Sequence, residues 1–147
     1  MDQQPPEFWQ GIEAFNQRQF YTCHDTLEAL WMEAMEPDKT FYQGILQVAV
    51  ALHHLSNGNW RGAVILLGEG IRRLTRYPLQ YAGIELGQFL EETAHLLQVL
   101  QQAGPDRSDR LQQQLGLGAA ATETGIEDTG QPVQLPTIRQ SSCQGQN

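Results

Sequence analysis

Residues 41–63 read FYQGILQVAVALHHLSNGNWRGA, and from Phe41 to Leu55 the run contains no Asp, Glu, Lys or Arg. A helix that is apolar nearly all round belongs in the middle of a packed structure. Ser56-Asn57-Gly58-Asn59 then reads as a turn, with Asn59 placed to cap a new helix that opens at Trp60. A central helix followed at once by another predicts an all-α fold. Upstream, residues 15–31 read FNQRQFYTCHDTLEALW, and Phe20, Cys23, Leu27, Leu30, Trp31 and Ala34 recur at helical spacing.

Five helices follow from this periodicity. The first spans about 7–16 and places Phe8, Ile12 and Phe15 on one face. The second spans about 19–35 and ends at Glu36-Pro37-Asp38, because proline disfavours a helical residue before it. The third spans about 41–55, with Asp38 or Thr40 as its expected cap. The fourth, about 60–76, turns Trp60, Val64, Leu67, Ile71 and Leu74 to the core. The fifth, about 84–102, buries Leu86, Phe89, Leu90, Leu97 and Leu100 before Gly104-Pro105 stops it. No run alternates with period two, so no strand is expected.

The first four helices repeat with a shift of 40 residues. Phe8 meets Val48, Ile12 meets Leu52, Phe15 meets Leu55, Phe20 meets Trp60, Cys23 meets Ala63, Leu27 meets Leu67 and Trp31 meets Ile71. That is two similar helical hairpins with the fifth helix as a cap. The period is near that of tetratricopeptide-type pairs, but two repeats are too few for a solenoid, so a compact bundle over residues 5–103 is expected. From 104 to 147 Gln, Gly, Ser and Thr dominate and aromatics vanish. This stretch reads as a mostly disordered polar tail. Within it, 111–117 could form a stray helical turn and PVQLPTI, 132–138, could dock as an extended segment. Truncation after Gly104 is expected to change stability by no more than about 1 kcal/mol, since little apolar surface would be lost.

A formal net charge of −8 over 147 residues argues against a nucleic-acid partner, which asks for a basic face. Arg72, Arg73 and Arg76 sit at one helix end, where they complement its dipole. No apolar run is long enough to predict a membrane span, and 1–10 lacks the apolar core of a signal peptide. Cys23 and Cys143 read as free thiols of a reducing, cytoplasmic compartment.

Some polar residues do not fit a plain core. His24 lies about 40° round its helix from Phe20, inside the apolar arc, and Glu28 follows one turn on. On the third helix Gln43, Gln47 and His54 share an arc of about 40°. Buried amides and imidazoles need partners, since an unpaired one costs about 1–3 kcal/mol. The short loop between the second and third helices makes His24, Glu28, Gln47 and His54 expected partners of one another, with Gln43 at the edge.

The same residues carry a resemblance. His24, Glu28 and Trp31 form an H-x-x-x-E-x-x-W run, and Gln43, Gly44, Gln47 and His54 form a Q-G-x-x-Q run closing on a histidine. Over about 11–74 the chain resembles the microbial family called domain of unknown function 309. The resemblance implies a small α-helical bundle and no established activity. Asp25 follows the histidine here, where glutamate is expected more often.

Three readings of His24, Glu28, Gln43, Gln47 and His54 are open. They form a structural network that fixes the register of the hairpins. Or His24, Glu28 and His54 ligate a divalent metal, as in a metal-dependent hydrolase-like enzyme. Or the cluster is a polar pocket walled by Trp31, Tyr42 or Trp60, with Gln43 and Gln47 orienting a small ligand. The leading expectation is a non-enzymatic cytoplasmic module that binds a small molecule or a protein partner. No cofactor is expected beyond such a metal. A homodimer would follow if the fourth or fifth helix left apolar surface uncovered.

Overall fold

The computed structural model describes residues 4–107, 110, 113–116 and 134–141. Five helices dominate them: α1 Pro6–Asn16, α2 Phe20–Glu33, α3 Asp38–Ser56, α4 Trp60–Leu74 and α5 Leu86–Ala103. Successive helices pack against one another, α1 on α2, α2 on α3, α3 on α4 and α4 on α5. Proline at the start of α1 costs no helical bond, because the first turn's N–H groups have no intrahelical partner. Asn59 caps α4 as its sequence suggests, its Oδ1 accepting the Gly62 N–H at 3.0 Å.

The cap of α3 differs from expectation. Neither Asp38 nor Thr40 supplies it. The Glu36 carboxylate accepts the Thr40 N–H at 3.0 Å and the Thr40 hydroxyl at 2.8 Å. Those two bonds hold the Glu36 carboxyl below its ordinary range.

The core is one continuous cluster drawn from every helix. Phe8, Phe15, Leu27, Phe41, Ile45, Leu52, Leu67 and Phe89 are all inaccessible to solvent. Two glycines let α3 and α4 approach closely. A Cβ on Gly70 would stand 2.9 Å from the Gly44 carbonyl oxygen, and one on Gly44 would stand 2.6 Å from Leu74 Cγ.

Between α4 and α5 lies a hairpin that the periodicity did not reveal. Strands β1 Gln80–Tyr81 and β2 Ile84–Glu85 pair antiparallel across Ala82 and Gly83, whose φ angles are 55° and 81°. Both turn residues have positive φ, which suits a tight hairpin. Ile84 and Glu85 therefore belong to a strand, and α5 opens at Leu86. Tyr77 and Tyr81 tie this hairpin to the start of α3. The Tyr77 hydroxyl donates to the Pro37 carbonyl at 2.7 Å, and the Tyr81 hydroxyl donates to Asp38 Oδ1 at 2.9 Å. Burial and then the Asp38 carboxylate raise the Tyr81 phenol well above its ordinary range.

Part of the polar stretch is docked on the bundle. Residues 134–141 run extended, with Leu135, Pro136 and Ile138 buried, Ile138 at 2% exposure. Ile84 and Gln140 form an antiparallel bridge, Glu85 N–H donates to the Arg139 carbonyl, and Ser141 N–H donates to the Gly83 carbonyl. The sheet thus gains a third, short member from the far end of the chain. Truncation after Gly104 removes this buried apolar surface, so the expectation of a negligible cost is corrected. Pro132 and Val133 of the PVQLPTI segment, with Cys143, lie outside the described residues. Within 111–117 only 113–116 are described, and Leu115 is buried at 3% exposure.

Candidate functional site

Residues along α3 sort cleanly by burial. Phe41, Tyr42, Gly44, Ile45, Val48, Ala49, Ala51, Leu52 and Leu55 are buried, while Gln43, Leu46, Gln47, Val50, His53 and His54 are half-buried. The second set forms one stripe at helical spacing. Two contacts fix how α2 runs beside it. At one end the Lys39 ammonium lies 4.3 Å from the Trp31 ring centroid and donates to the Trp31 carbonyl at 2.7 Å. At the other end the Tyr21 ring lies 5.4 Å from His53 and 5.9 Å from His24, nearly parallel to the latter at 27°. The helices are antiparallel, and Glu28 falls alongside the Gln43–Gly44 level of α3.

The five residues are all half-buried but do not bond to one another. Among the described residues no hydrogen bond joins any two of them. Gln47 Nε2 donates to Glu69 Oε1 of α4 at 3.0 Å. His54 Nδ1 lies 3.3 Å from Asn59 Nδ2, at the α3–α4 turn. His24 Nδ1 lies 3.3 Å from the adjoining Asp25 Oδ1. Glu28 and Gln43 form no side-chain hydrogen bond among the described residues. The mutual network expected from the sequence is therefore replaced by contacts to other neighbours. The reason is geometric: α3 is flanked by α2 on one side and α4 on the other, and its stripe reaches both.

Two buried polar atoms of α2 and α3, Gln47 Oε1 and the Trp31 indole nitrogen, have no partner among the described residues. Most buried polar atoms in folded proteins are satisfied, so each such atom calls for a reason.

The expected pocket wall is not one wall. Trp31 packs under Lys39. Tyr42 is 4% exposed, its ring lies 6.0 Å from Phe8, and its hydroxyl donates to Gln4 Oε1. Trp60 Nε1 donates to the Leu100 carbonyl at 2.9 Å and so faces α5. Three aromatics meet three different elements.

The metal-ligand set also changes. His24, Asp25 and Glu28 bring one ligand atom each within 4.8 Å of the others, and His54 is not among them. The trio lies on a single turn of α2. Asp25, 58% exposed, was the member with no core signal in the sequence, since it points off the apolar arc. Glu69, the sole acid of α4, was one of two carboxylates, with Glu28, that an amide on α3 could have met. Cys23 is buried, and burial pushes its thiol up to about 12.

Residues 8–66, from α1 into α4, match a known family by its sequence model. The matching model is that of the Domain of unknown function (DUF309) family. The DUF309 segment contains all of His24, Glu28, Gln43, Gln47 and His54. Over 83 residues, 54% of this chain, an uncharacterized protein of Aquifex aeolicus (strain VF5) is 31% identical, covering 25% of its own length. Over 83 residues the uncharacterized protein YpuF of Bacillus subtilis (strain 168) is 32% identical, covering 48% of its length. The chain thus spans half or less of the curated relatives it matches. No solved structure gives a significant match. No described helix is long and apolar enough to cross a membrane.

Proposed function

We propose that the DUF309 segment is a non-enzymatic, cytoplasmic binding module whose recognition face is the half-buried stripe of α2 and α3 around His24, Glu28, Gln43 and Gln47. The observation that carries this reading is the Gln47 side chain, one end bonded to Glu69 and the other, Oε1, buried without a partner among the described residues. A residue selected for packing alone would be leucine there. A hydrogen-bond donor on a small molecule or a partner chain would complete Gln47, and the Glu28 carboxylate of α2, without a hydrogen bond among the described residues, would favour a cationic or amide-bearing group.

Gln47→Leu tests the reading through stability. The substitution forfeits a bond to the Glu69 carboxylate, worth about 1.5–3 kcal/mol, and relieves an unsatisfied acceptor, worth about 1–3 kcal/mol. The two nearly cancel, so the expected result is no net loss in urea unfolding, as for polar groups kept for binding at the expense of the fold. A loss of 1 kcal/mol or more would instead mark Gln47 as a structural residue and remove the support for a binding face.

A second reading rests on the proximity of His24, Asp25 and Glu28. Imidazole with two carboxylates suits a divalent ion such as Zn or Mn, and a metal-dependent hydrolase-like enzyme would keep a further coordination position for water. On this reading purified protein carries stoichiometric metal, chelator lowers its melting temperature, and Glu28→Gln or Asp25→Asn abolishes that effect while His54→Ala does not. Metal content far below one ion per chain after purification without chelator, with no melting shift on adding zinc, would exclude it.

A further inference from the structure

The docked segment 134–141 is held in a way that suits a replaceable ligand. Among the described residues, all five of its hydrogen bonds to the bundle use its main chain. Asn16 clamps one residue from both sides, its Nδ2 donating to the Ile138 carbonyl at 2.8 Å and its Oδ1 accepting the Ile138 N–H at 2.8 Å. Glu92 Oε1 accepts the Thr137 N–H at 3.0 Å. The edge of β2 and its turn supply the other two, from Glu85 N–H and to the Gly83 carbonyl. Adding a strand to a sheet edge through main-chain bonds is a standard route for capturing extended peptides, with alternate side chains read by pockets. Here Leu135, Pro136 and Ile138 are the buried side chains, and Glu92 Oε2 lies 3.5 Å from the Arg139 guanidinium.

Two more observations separate this from an ordinary terminal strap. The receptor groups Asn16, Glu85 and Glu92 sit on α1, β2 and α5, so the groove belongs to the bundle and not to the segment. The segment also leaves the groove partly open: a cleft of about 450 Å³ lies beside Ile138 and Gln140, lined by Trp9, Ile12, Glu13 and Gln17.

We infer that the groove between α1, β2 and α5 is a peptide-recognition site, filled in cis by residues 134–141, that accepts in trans an extended peptide of the form Leu-Pro-x-Ile followed by a basic residue. The chain's own segment is then a competitor that such a partner displaces. This surface is built from elements distinct from the α2–α3 stripe.

A fluorescent peptide of residues 131–142, QPVQLPTIRQSS, tests this on the full-length chain. Ile138→Asp in the chain vacates the groove by placing a charge where an aliphatic side chain is buried. Tethering gives the wild-type segment an effective concentration on the order of millimolar. The Ile138→Asp chain is therefore expected to bind the peptide at least about tenfold more tightly than wild type does. Adding Asn16→Leu to that chain should abolish binding, and a peptide carrying Asp at the Ile138 position should not bind. Equal binding by wild type and a folded Ile138→Asp chain, or none by either, would overturn the inference. Should Ile138→Asp fail to fold, a protease site inserted between Ala121 and Thr122 of the wild-type chain replaces it. After cleavage the C-terminal fragment is expected to co-elute with the bundle and to be displaced by excess peptide. Separate elution, or a wild-type dimer that cleavage dissolves, would overturn the cis assignment.

Discussion

Gly70→Ala is expected to destabilise the protein by about 2 kcal/mol, while Gly68→Ala, two residues away on the same helix, is expected to stabilise it. Elsewhere in a helix, glycine to alanine gains about 1 kcal/mol from propensity. At Gly68 a Cβ meets nothing within 4 Å, so that gain should be realised nearly in full. At Gly70 the Cβ would stand 2.8 Å from Val48 Cγ2 and 2.9 Å from the Gly44 carbonyl oxygen. A side chain can swing away, but a backbone oxygen moves only if α3 moves. Overpacking of this kind costs about 1–3 kcal/mol, and shifting α3 also disturbs its contacts with α2. A melting temperature lower by about 5–10 °C for Gly70→Ala is the expected reading. Two alanine variants that shift in the same direction would refute the proposed closeness of the α3–α4 contact.

Ile138→Ala is expected to cost about 2 kcal/mol, near the lower end for truncating a buried isoleucine. The loss is bounded, since a weakened segment can detach and return its main chain to water. That bound has its own signature. Asn16→Ala removes both clamp bonds on Ile138, so the two changes weaken the same docked segment. The double variant should therefore cost little more than the worse single one, a coupling that a double-mutant cycle in urea measures. Strict additivity of the two losses would mean that Asn16 and Ile138 act independently, contrary to the clamp.

The helices were legible because each buries a stripe with a 3.6-residue period, and because the 40-residue shift aligns Phe8 with Val48 and Leu27 with Leu67. The hairpin at 80–85 was not, because two-residue strands have no period to read and Ala82-Gly83 lacks the Asn-Gly signature of a tight turn. Docking of Leu135 and Ile138 was visible only as a short apolar patch; its receptor, Asn16, reads as an ordinary turn residue until the two ends meet. At the candidate site, angular position on a helix identified the residues that face inward but not their partners. Gln47 sits on a helix that touches both α2 and α4, and the sequence offers no means of choosing between Glu28 and Glu69.

The pairing of Asn16 with Ile138, 122 residues apart, also orders events in time. A ribosome delivers Asn16 of α1 well before its partner Ile138. Throughout translation the outer side of α1 faces water, and the edge of β2 offers free donors and acceptors to whatever strand is at hand. The contacts of Asn16 thus wait on residues 134–141, so a nascent chain that lacks them would present an open sheet edge of the kind chaperones hold.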